Sequence, residues 1–308
     1  MSKIEVLLSS YNGEAYIAEQ LDSLSSQEHK EWTVRIRDDG SSDNTIGTIE
    51  KWNLQSIQDC YLEKGENLGV VASFFELLLQ ADDSKDYFCF CDQDDVWLPQ
   101  KMERAIQYLT TVADETPAMI FTSTQLTDED LQTIKIWPAA PTKQPSFYNA
   151  VYQNIAVGAT VTFNRAALQL IRSHMPDTSR VLMHDWWLYI CVSAFGEVLY
   201  DPEPSILYRQ HGGNAVGGET SAIKKLKKKW ASFRKHKASH KLAAQAREFH
   251  RLYANRMTDS EKLEQLEWFI AQRRSFLQRL KYLSNSKLYR QSPIENMLFK
   301  LLILMGYI

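Results

Sequence analysis

Short apolar runs alternate with helical patterns along the first 120 residues of the chain. The runs are rich in β-branched and aromatic residues, which indicates buried strands, and between them apolar residues recur three or four positions apart, which indicates helices. Strands that alternate with helices predict βαβ crossovers and a mostly parallel sheet that is covered on both faces. The predicted strands are 4–10, 32–37, 60–62, 87–91 and 118–122, and the predicted helices are 15–24, 44–52, 68–80 and 99–109.

The pattern changes twice after residue 122. Residues 123–150 contain Pro, Thr and Asn and predict long loops or a hairpin. Glycines near 212–219 then precede residues 220–291, which lack strand signals and predict long helices before an apolar terminus. We therefore predict an α/β domain at 1–215 and a helical region at 216–308. Between 150 and 212 the predicted strands are 158–164, 197–200 and 206–208, and the predicted helices are 166–173 and 185–195.

Charge divides the chain at nearly the same place. The formal net charge is −3, but residues 1–220 hold 15 basic and 32 acidic side chains, whereas residues 221–308 hold 20 basic and 6 acidic ones.

Four cysteines without a CxxC pair indicate reduced thiols in a cytoplasmic protein. No apolar stretch has the about 20 residues that a membrane-spanning helix needs, so we expect a soluble or peripheral protein.

Polar clusters follow three of the predicted strands. They are 9–13, 38–43 and 92–95, and each alone is most simply a polar turn. In a parallel α/β sheet, however, ligands bind beyond the carboxyl ends of the strands, and all three clusters lie at that edge. The sequence therefore predicts a binding site there.

The segment Asp92-Gln93-Asp94-Asp95 is the most informative of these clusters. Asp92 and Asp94 face the same way on an extended chain, so they can converge on one cation. Carboxylate oxygens suit Mg²⁺ or Mn²⁺, which commonly bridge to phosphate oxygens. The alternative is a cap for the helix that begins near Pro99.

A second cluster, Asp38-Asp39-Gly40-Ser41, offers acceptors for the imide N–H of uracil or thymine and for ribose hydroxyls. Backbone N–H groups at the helix start near Leu68 and Gly69 can also meet a nucleotide. The GxGxxG and GxxxxGK[ST] motifs are absent from the sequence, which argues against dinucleotide redox chemistry and P-loop ATP hydrolysis.

Four polar segments together resemble, in order and spacing, the signatures of family 2 glycosyltransferases with the GT-A fold. Residues 92–97, Asp-Gln-Asp-Asp-Val-Trp, are most similar to bacterial rhamnosyltransferases that build cell-wall rhamnose polysaccharides and O-antigens. The similarity covers about residues 1–215, through His184-Asp185-Trp186-Trp187 and 209–214. The four segments are Ser9-Ser10-Tyr11-Asn12-Gly13, Asp38-Asp39-Gly40-Ser41, Asn67-Leu68-Gly69 and Asp92-Gln93-Asp94-Asp95.

The resemblance implies roles for the matching positions. Asp185 matches the catalytic base, although the residue could instead cap the helix that follows it, and Asp94 and His211 match positions that hold the metal. Ala159, where relatives often carry Cys, leaves the donor sugar open. An acceptor or sugar pocket is implied for Gly158, Trp186 and Trp187, and nucleotide-sugar contacts for Ser9, Tyr11, Asn12, Asp38, Asp39, Asn67, Asp92, Gln93 and Arg209.

The activity that the resemblance implies is inverting and metal-dependent, with Mn²⁺ or Mg²⁺ as cofactor. L-Rhamnose would pass from dTDP-β-L-rhamnose to a lipid-linked saccharide. Two alternatives remain: another donor (UDP-glucose, UDP-galactose or UDP-N-acetylglucosamine), or a non-catalytic membrane-associated scaffold. A pyrophosphorylase would need a glycine-rich basic loop near the first strand, and an Asp-x-Asp phosphatase a hydroxyl residue where Val96 stands.

A lysine-rich run at 224–241 opens the basic region. No nucleic-acid recognition motif accompanies the charge, so no nucleic-acid partner is predicted. A solvated helix face and an anionic membrane surface both suit lysines interleaved with Trp230 and Phe233. The implied lipid-linked acceptor favours the membrane, at the cytoplasmic face. Apolar residues such as Trp268, Phe269 and Phe276 indicate helix packing or a homodimer contact.

Overall fold

Two β-sheets lie within the first 211 residues. The structure is a computed structural model that describes residues 2–56, 58–211 and 237–307. The strands are β1 (Ile4–Ser10), β2 (Trp32–Asp38), β3 (Cys60–Lys64), β4 (Tyr87–Asp92), β5 (Val96–Trp97), β6 (Ala118–Thr122), β7 (Thr124–Thr127), β8 (Thr133–Trp137), β9 (Thr162–Asn164), β10 (Glu197–Asp201) and β11 (Ile206–Arg209).

Helices cover the larger sheet and make up the described part of the basic region. No helix within the described ranges combines the length and the apolar character needed to cross a bilayer. The helices are α1 (Ile17–Ser25), α2 (Thr45–Gln55), α3 (Val70–Gln80), α4 (Lys101–Leu109), α5 (Phe147–Ala150), α6 (Arg165–Arg172), α7 (His184–Phe195), α8 (Lys237–Tyr253), α9 (Ser260–Ile270), α10 (Phe276–Asn285) and α11 (Pro293–Met305).

The larger sheet has seven strands in the order β10-β6-β9-β4-β1-β2-β3. The pairings among β3, β2, β1 and β4, and between β10 and β6, are parallel, which confirms the predicted mostly parallel α/β sheet. Strand β9 is antiparallel to both of its neighbours. The prediction of a strand over 158–164 is wrong in its first half, because Thr160 folds back to bond the Val157 carbonyl and forms a 3₁₀ turn at Gly158–Thr160.

The smaller sheet has the order β5-β11-β7-β8. Strands β7 and β8 form a hairpin, so the hairpin alternative for 123–150 is confirmed for its first part. Strand β11 pairs with β5 through Leu207 and Val96. This pairing brings the end of the 206–209 strand to the acidic segment at 92–95, more than 100 positions away in the sequence.

The core lies on both faces of the larger sheet. Alternate residues of β1 point to opposite sides, so Leu7 joins one cluster while Val6 and Leu8 join the other. The cluster around Leu7 continues into the C-terminal helices, where Phe249 of α8 and Phe299 of α11 are fully or almost fully buried. The described helices therefore share a core with the α/β region. A division at 215/216 stays a prediction, since residues 212–236 lie outside the described ranges.

Candidate active site

The three polar clusters meet at the carboxyl edge of the larger sheet. Ser9 of β1 is opposite Asp92 of β4, and Ser10 is opposite Asp38 of β2. Side chains that follow three adjacent strands are thus brought side by side. The predicted location of the site is consistent with this geometry.

Asp38 builds the turn after β2. Its fully buried carboxylate accepts hydrogen bonds from Ser10 Oγ (3.0 Å), from the Ser41 backbone N–H (2.8 Å) and from Ser41 Oγ (2.6 Å). Gly40 adopts φ +83°, and a Cβ there would lie 3.1 Å from the Asn67 backbone nitrogen. Asn12 joins the first two loops, because its Oδ1 accepts from the Ser42 N–H at 2.8 Å.

Asp39 holds the start of α3. It is buried beside Arg37, with which it forms an ion pair, and it accepts from the backbone N–H groups of Leu68 (2.9 Å) and Gly69 (2.8 Å). Carboxylates favour such positions because a helix start presents unpaired N–H groups and a positive dipole end. Asn67 precedes these two residues and is exposed.

Gln93 and Tyr11 lock the first loop against the acidic segment. Gln93 Oε1 accepts from the Tyr11 N–H at 2.8 Å, and Gln93 Nε2 donates to the Tyr11 carbonyl at 3.0 Å. The Tyr11 side chain is about half exposed. Ser9 exchanges a 2.7 Å hydrogen bond with Ser73 of α3. Gln93 therefore orients a loop whose tyrosine remains available for stacking.

An acidic cluster, defined here as Asp92, Asp94 and Asp95, occupies the end of β4. Burial, together with the charges of Asp94 and Asp185, raises the pKa of Asp92 to about 7. Burial also raises the pKa of Asp95, whose Oδ1 accepts from the Arg209 N–H at 3.2 Å while its Oδ2 has no hydrogen-bond partner among the described residues. Carboxylates packed this closely favour a positive partner.

Asp94 and His211 form the part of the site that best fits a divalent cation. His211 Nε2 lies 2.8 Å from Asp94 Oδ2. Among the described residues, no group of three or more Asp, Glu, His or Cys side chains is arranged to hold a metal. A site with few protein ligands is what Mg²⁺ and Mn²⁺ use when phosphate oxygens and water complete the coordination. The donor set therefore fits a cation that binds together with a diphosphate.

Arg209 ties the acidic cluster to α1. Its side chain is buried, forms an ion pair with Glu19, and lies over the Tyr16 ring at 4.9 Å. Its Nε also donates to the Asp94 carbonyl at 3.2 Å. In this arrangement Arg209 orients the loop that carries Asp94. The ion pair with Glu19 could not be predicted from the sequence, because the two residues are 190 positions apart.

Asp185 lies in the first turn of α7, and not at its N-cap, which is Met183. Its Oδ2 accepts from Asn154 Nδ2 at 3.0 Å. Burial raises the pKa of Asp185 to about 6, so the group is mostly ionised at neutral pH but readily takes a proton. Gly158 faces it: a Cβ there would lie 3.4 Å from Asp185 Oδ2. Asn154, which orients the carboxylate, was missed because it falls in a segment without a recognisable pattern.

His184 precedes Asp185 and is also buried. Its ring stacks on Phe74 at 3.7 Å and meets Phe90 edge-on at 4.7 Å. Burial lowers the pKa of His184 to about 3, so the ring is neutral. Neither ring nitrogen has a hydrogen-bond partner within the described part of the chain. The contacts with Phe74 and Phe90 hold the ring in place at the start of α7.

The two tryptophans after Asp185 face the core. Trp186 Nε1 donates to the Ala150 carbonyl at 2.7 Å, and the side chain is half-buried. Trp187 is fully buried and packs near Phe249 and Tyr253 of α8. Trp187 therefore does not line a pocket beside Asp185, contrary to the expectation from the sequence, because a residue two positions along a helix points away from its neighbour's face.

The site and the fold define a class of protein. A family model described as "Glycosyl transferase family 2" matches residues 5–171, more than half of the chain. The chain belongs to this family of glycosyltransferases.

Individual relatives are similar over most of their length. The dTDP-rhamnosyl transferase RfbG of Shigella flexneri is 27% identical over 235 residues, which are 72% of this chain and 77% of that protein. The putative teichuronic acid biosynthesis glycosyltransferase TuaG of Bacillus subtilis is 25% identical over 244 residues, covering 78% and 91%.

Solved structures share the fold. Residues 1–349 of TarS from S. aureus match with a TM-score of 0.60 at 14% identity, covering 99% of this chain and 80% of that chain. The mannosyltransferase PcManGT from Pyrobaculum calidifontis, in complex with GDP-Man and Mn²⁺, matches with a TM-score of 0.55 at 15% identity, covering 99% and 81%. The GT-A fold predicted from the sequence is confirmed.

Proposed function

We propose that this glycosyltransferase is an inverting, metal-dependent rhamnosyltransferase that uses dTDP-β-L-rhamnose and a lipid-linked saccharide acceptor. The observation that carries the chemistry is the buried Asp185 carboxylate, with a pKa of about 6, close enough to the acidic cluster to influence the charge of Asp92. The similarity to RfbG, whose name specifies dTDP-rhamnose, supports the choice of sugar.

The base must gain a proton, whereas the leaving group must carry away negative charge, so the two need opposite electrostatic surroundings. The acceptor hydroxyl attacks the anomeric carbon and transfers its proton to Asp185, while the bond between that carbon and the diphosphate oxygen breaks and dTDP departs. A single base with in-line attack inverts the configuration, so a β-linked donor gives an α-rhamnoside. Because Asp185 is buried and, among the residues that the structure describes, only Asn154 and backbone groups bond it, its basicity is preserved for this proton transfer.

A divalent cation, when bound, neutralises charge on the departing diphosphate. Asp94 and His211 would hold it, because their oxygen and nitrogen already lie 2.8 Å apart. Asp92 would stand next to the ribose and the diphosphate. Arg209 contributes by fixing the loop of Asp94 through the Asp94 carbonyl.

The nucleoside would lie over the loops that end β1 and β2. Tyr11 is exposed there and supplies an aromatic face. Asp39 bonds the backbone N–H groups of Leu68 and Gly69, which follow the exposed Asn67, and it would address the imide N–H of thymine. Ser9, Asn12, Asp38 and Gln93 support this surface through the loop contacts described above. Gly158 leaves space beside Asp185 for the sugar or the acceptor hydroxyl.

A lipid-linked acceptor would bring the protein to the cytoplasmic face of the cell membrane. The basic region at 216–308 supports this location through its charge of 20 basic to 6 acidic residues from 221 onward. Most of the lysine-rich run at 224–241 lies outside the described residues. A homodimer through the C-terminal helices is the competing proposal for this region.

A panel of nucleotide sugars tests the donor and the metal together. The purified protein is incubated with dTDP-rhamnose, UDP-glucose, UDP-galactose and UDP-N-acetylglucosamine, each with Mn²⁺, with Mg²⁺ or with EDTA, and release of the nucleoside diphosphate is measured. We expect release from dTDP-rhamnose with metal only. Faster release from a UDP-sugar would overturn the donor, and undiminished release in EDTA would overturn the metal dependence.

A further inference from the structure

The last two helices expose an unusual amount of apolar surface. Seven large apolar side chains on α10 and α11 are between 43% and 74% exposed, whereas the opposite sides of these helices bury Tyr282, Phe299 and Ile303 in the core. We call the seven the apolar face. Its members are Phe276, Leu277 and Leu280 on α10, and Ile294, Met297, Leu301 and Met305 on α11.

The two helices present this surface together. On α11 the exposed residues recur at intervals of three and four, so they form one stripe along the helix. On α10, Leu283 continues the stripe of Phe276 and Leu280, and it lines a shallow groove with Met297 and Leu301 of α11. Arg279 donates to the Leu304 carbonyl at 3.2 Å and links the helices. A continuous apolar patch of this kind marks an interaction surface.

The positive charge around the apolar face indicates which kind of partner it binds. Residues 271–308 contain seven basic residues and only one acidic residue, Glu295, which pairs with Arg290 at 3.5 Å. Arg274, just before α10, and Lys281, within it, are both exposed. A second copy docked through the same face would place positive charge against positive charge, whereas an anionic lipid surface is complementary to both the apolar and the basic groups.

We propose that the apolar face of α10 and α11 inserts into the headgroup region of an anionic bilayer. Helix α11 spans 13 residues, too short to cross the hydrocarbon core, so it lies in the plane of the interface with its stripe facing the acyl chains. Only the purpose of this contact, access to a lipid-linked acceptor, rests on the proposed function.

Vesicle sedimentation of the full chain tests the surface. Vesicles of phosphatidylglycerol with phosphatidylcholine are compared with vesicles of phosphatidylcholine alone, for the wild type and for the double variant Leu277→Glu with Met297→Glu. We expect the wild type to bind the anionic vesicles, and the double variant to bind them at least about tenfold more weakly, because two apolar anchors become anionic.

A matched control carries the same charge change elsewhere. Leu54 on α2 and Ile136 on β8 are 89% and 57% exposed, and the double variant Leu54→Glu with Ile136→Glu should sediment like the wild type. Circular dichroism and thermal melting check that both variants are folded. Undiminished anionic binding of the folded Leu277→Glu, Met297→Glu variant would overturn the proposal.

Light scattering separates a bilayer from a second copy. If the wild type is a dimer, and the double variant is a monomer that still binds vesicles, the face is a dimer contact and the proposal is wrong. Transfer of the sugar to a water-soluble acceptor analogue should be unchanged in the double variant. A failure of the donor panel would leave the vesicle result intact, so the two proposals fail independently.

Discussion

The sheet edge and the C-terminal helices place their charged and apolar groups in opposite ways. At the sheet edge, Asp95 and Asp185 are buried, and burial raises the pKa of both. On α10 and α11 the charges remain near the surface, while residues such as Leu277 are exposed. A buried carboxylate would be more stable in water, and an exposed leucine would be more stable in an apolar environment. Both arrangements therefore reduce the stability of the isolated chain. Such exceptions indicate binding: of ligand and substrate at the first site, and of a partner at the second.

Replacement of Asp185, the proposed catalytic base, gives the largest expected effect. Asp185→Asn should lower kcat by about 10³-fold, since an amide cannot accept the acceptor proton. Affinity for dTDP should change little, because Asp185 would contact the reacting atoms and not the nucleotide. Initial rates and calorimetric titration with dTDP measure the two quantities. Asp114→Asn, at an exposed position, is the control, and a nearly normal rate for Asp185→Asn would remove the assignment of the base.

The shared core is tested next, by Phe249→Ala. Phe249 is fully buried and packs near Phe147 and Trp187, so the variant should lose about 4 kcal/mol of unfolding free energy. Urea titration followed by circular dichroism and by tryptophan fluorescence should show one coincident transition. Phe276→Ala, which removes an exposed ring, should cost less than about 0.5 kcal/mol. Two separate transitions would mean that the two regions fold independently.

Loss of Asp94, the proposed metal ligand, should have a smaller effect on the rate than loss of Asp185, the proposed base. Asp94→Asn removes the carboxylate that lies against His211, and we expect kcat to fall by about 10²-fold with weaker Mn²⁺ binding. Electron paramagnetic resonance titration of Mn²⁺ gives the affinity directly. The exposed Glu115→Gln serves as the control. An unchanged Mn²⁺ affinity would assign the metal to other residues.

The smallest expected effect is a pH dependence. Because the pKa of Asp185 is about 6, the base is ionised above that pH and protonated below it. The rate at saturating donor should therefore be level above about pH 7 and fall by about tenfold for each pH unit below about 6. Initial rates measured across that pH interval test this expected decrease. A rate that rises as the pH falls would contradict a carboxylate base. The residual activity of Asp185→Asn should not show the decrease in rate below about pH 6.

How much the sequence predicted depended on whether the determining contacts were local. Strand β1 was predicted with its observed limits because a run of buried residues is a local signal, and the parallel pairing then brought Ser9 and Asp92 together. The antiparallel direction of β9 depends on its pairing with β4 and β6, tertiary contacts that no window of sequence contains. The 3₁₀ turn at Gly158–Thr160 is local, but three residues are too few to produce a periodic pattern. The pairing of Asp185 with Asn154 was unpredictable because the two residues are 31 positions apart. The inward direction of Trp187, by contrast, follows from the predicted helix, because residues two positions apart on a helix lie on different faces.

Helix α7 links the α/β region to the C-terminal helices, and this determines whether the C-terminal region could be removed or replaced. Its first turn carries Asp185, and two positions further along Trp187 lies among aromatic rings of α8. A chain shortened to residue 220 would expose that tryptophan to water and leave Asp185, the proposed base, on a poorly supported helix. The C-terminal region is therefore not a removable module: replacing it would require rebuilding the wall behind Asp185, the proposed base, as well as supplying another membrane contact if the proposed one is correct.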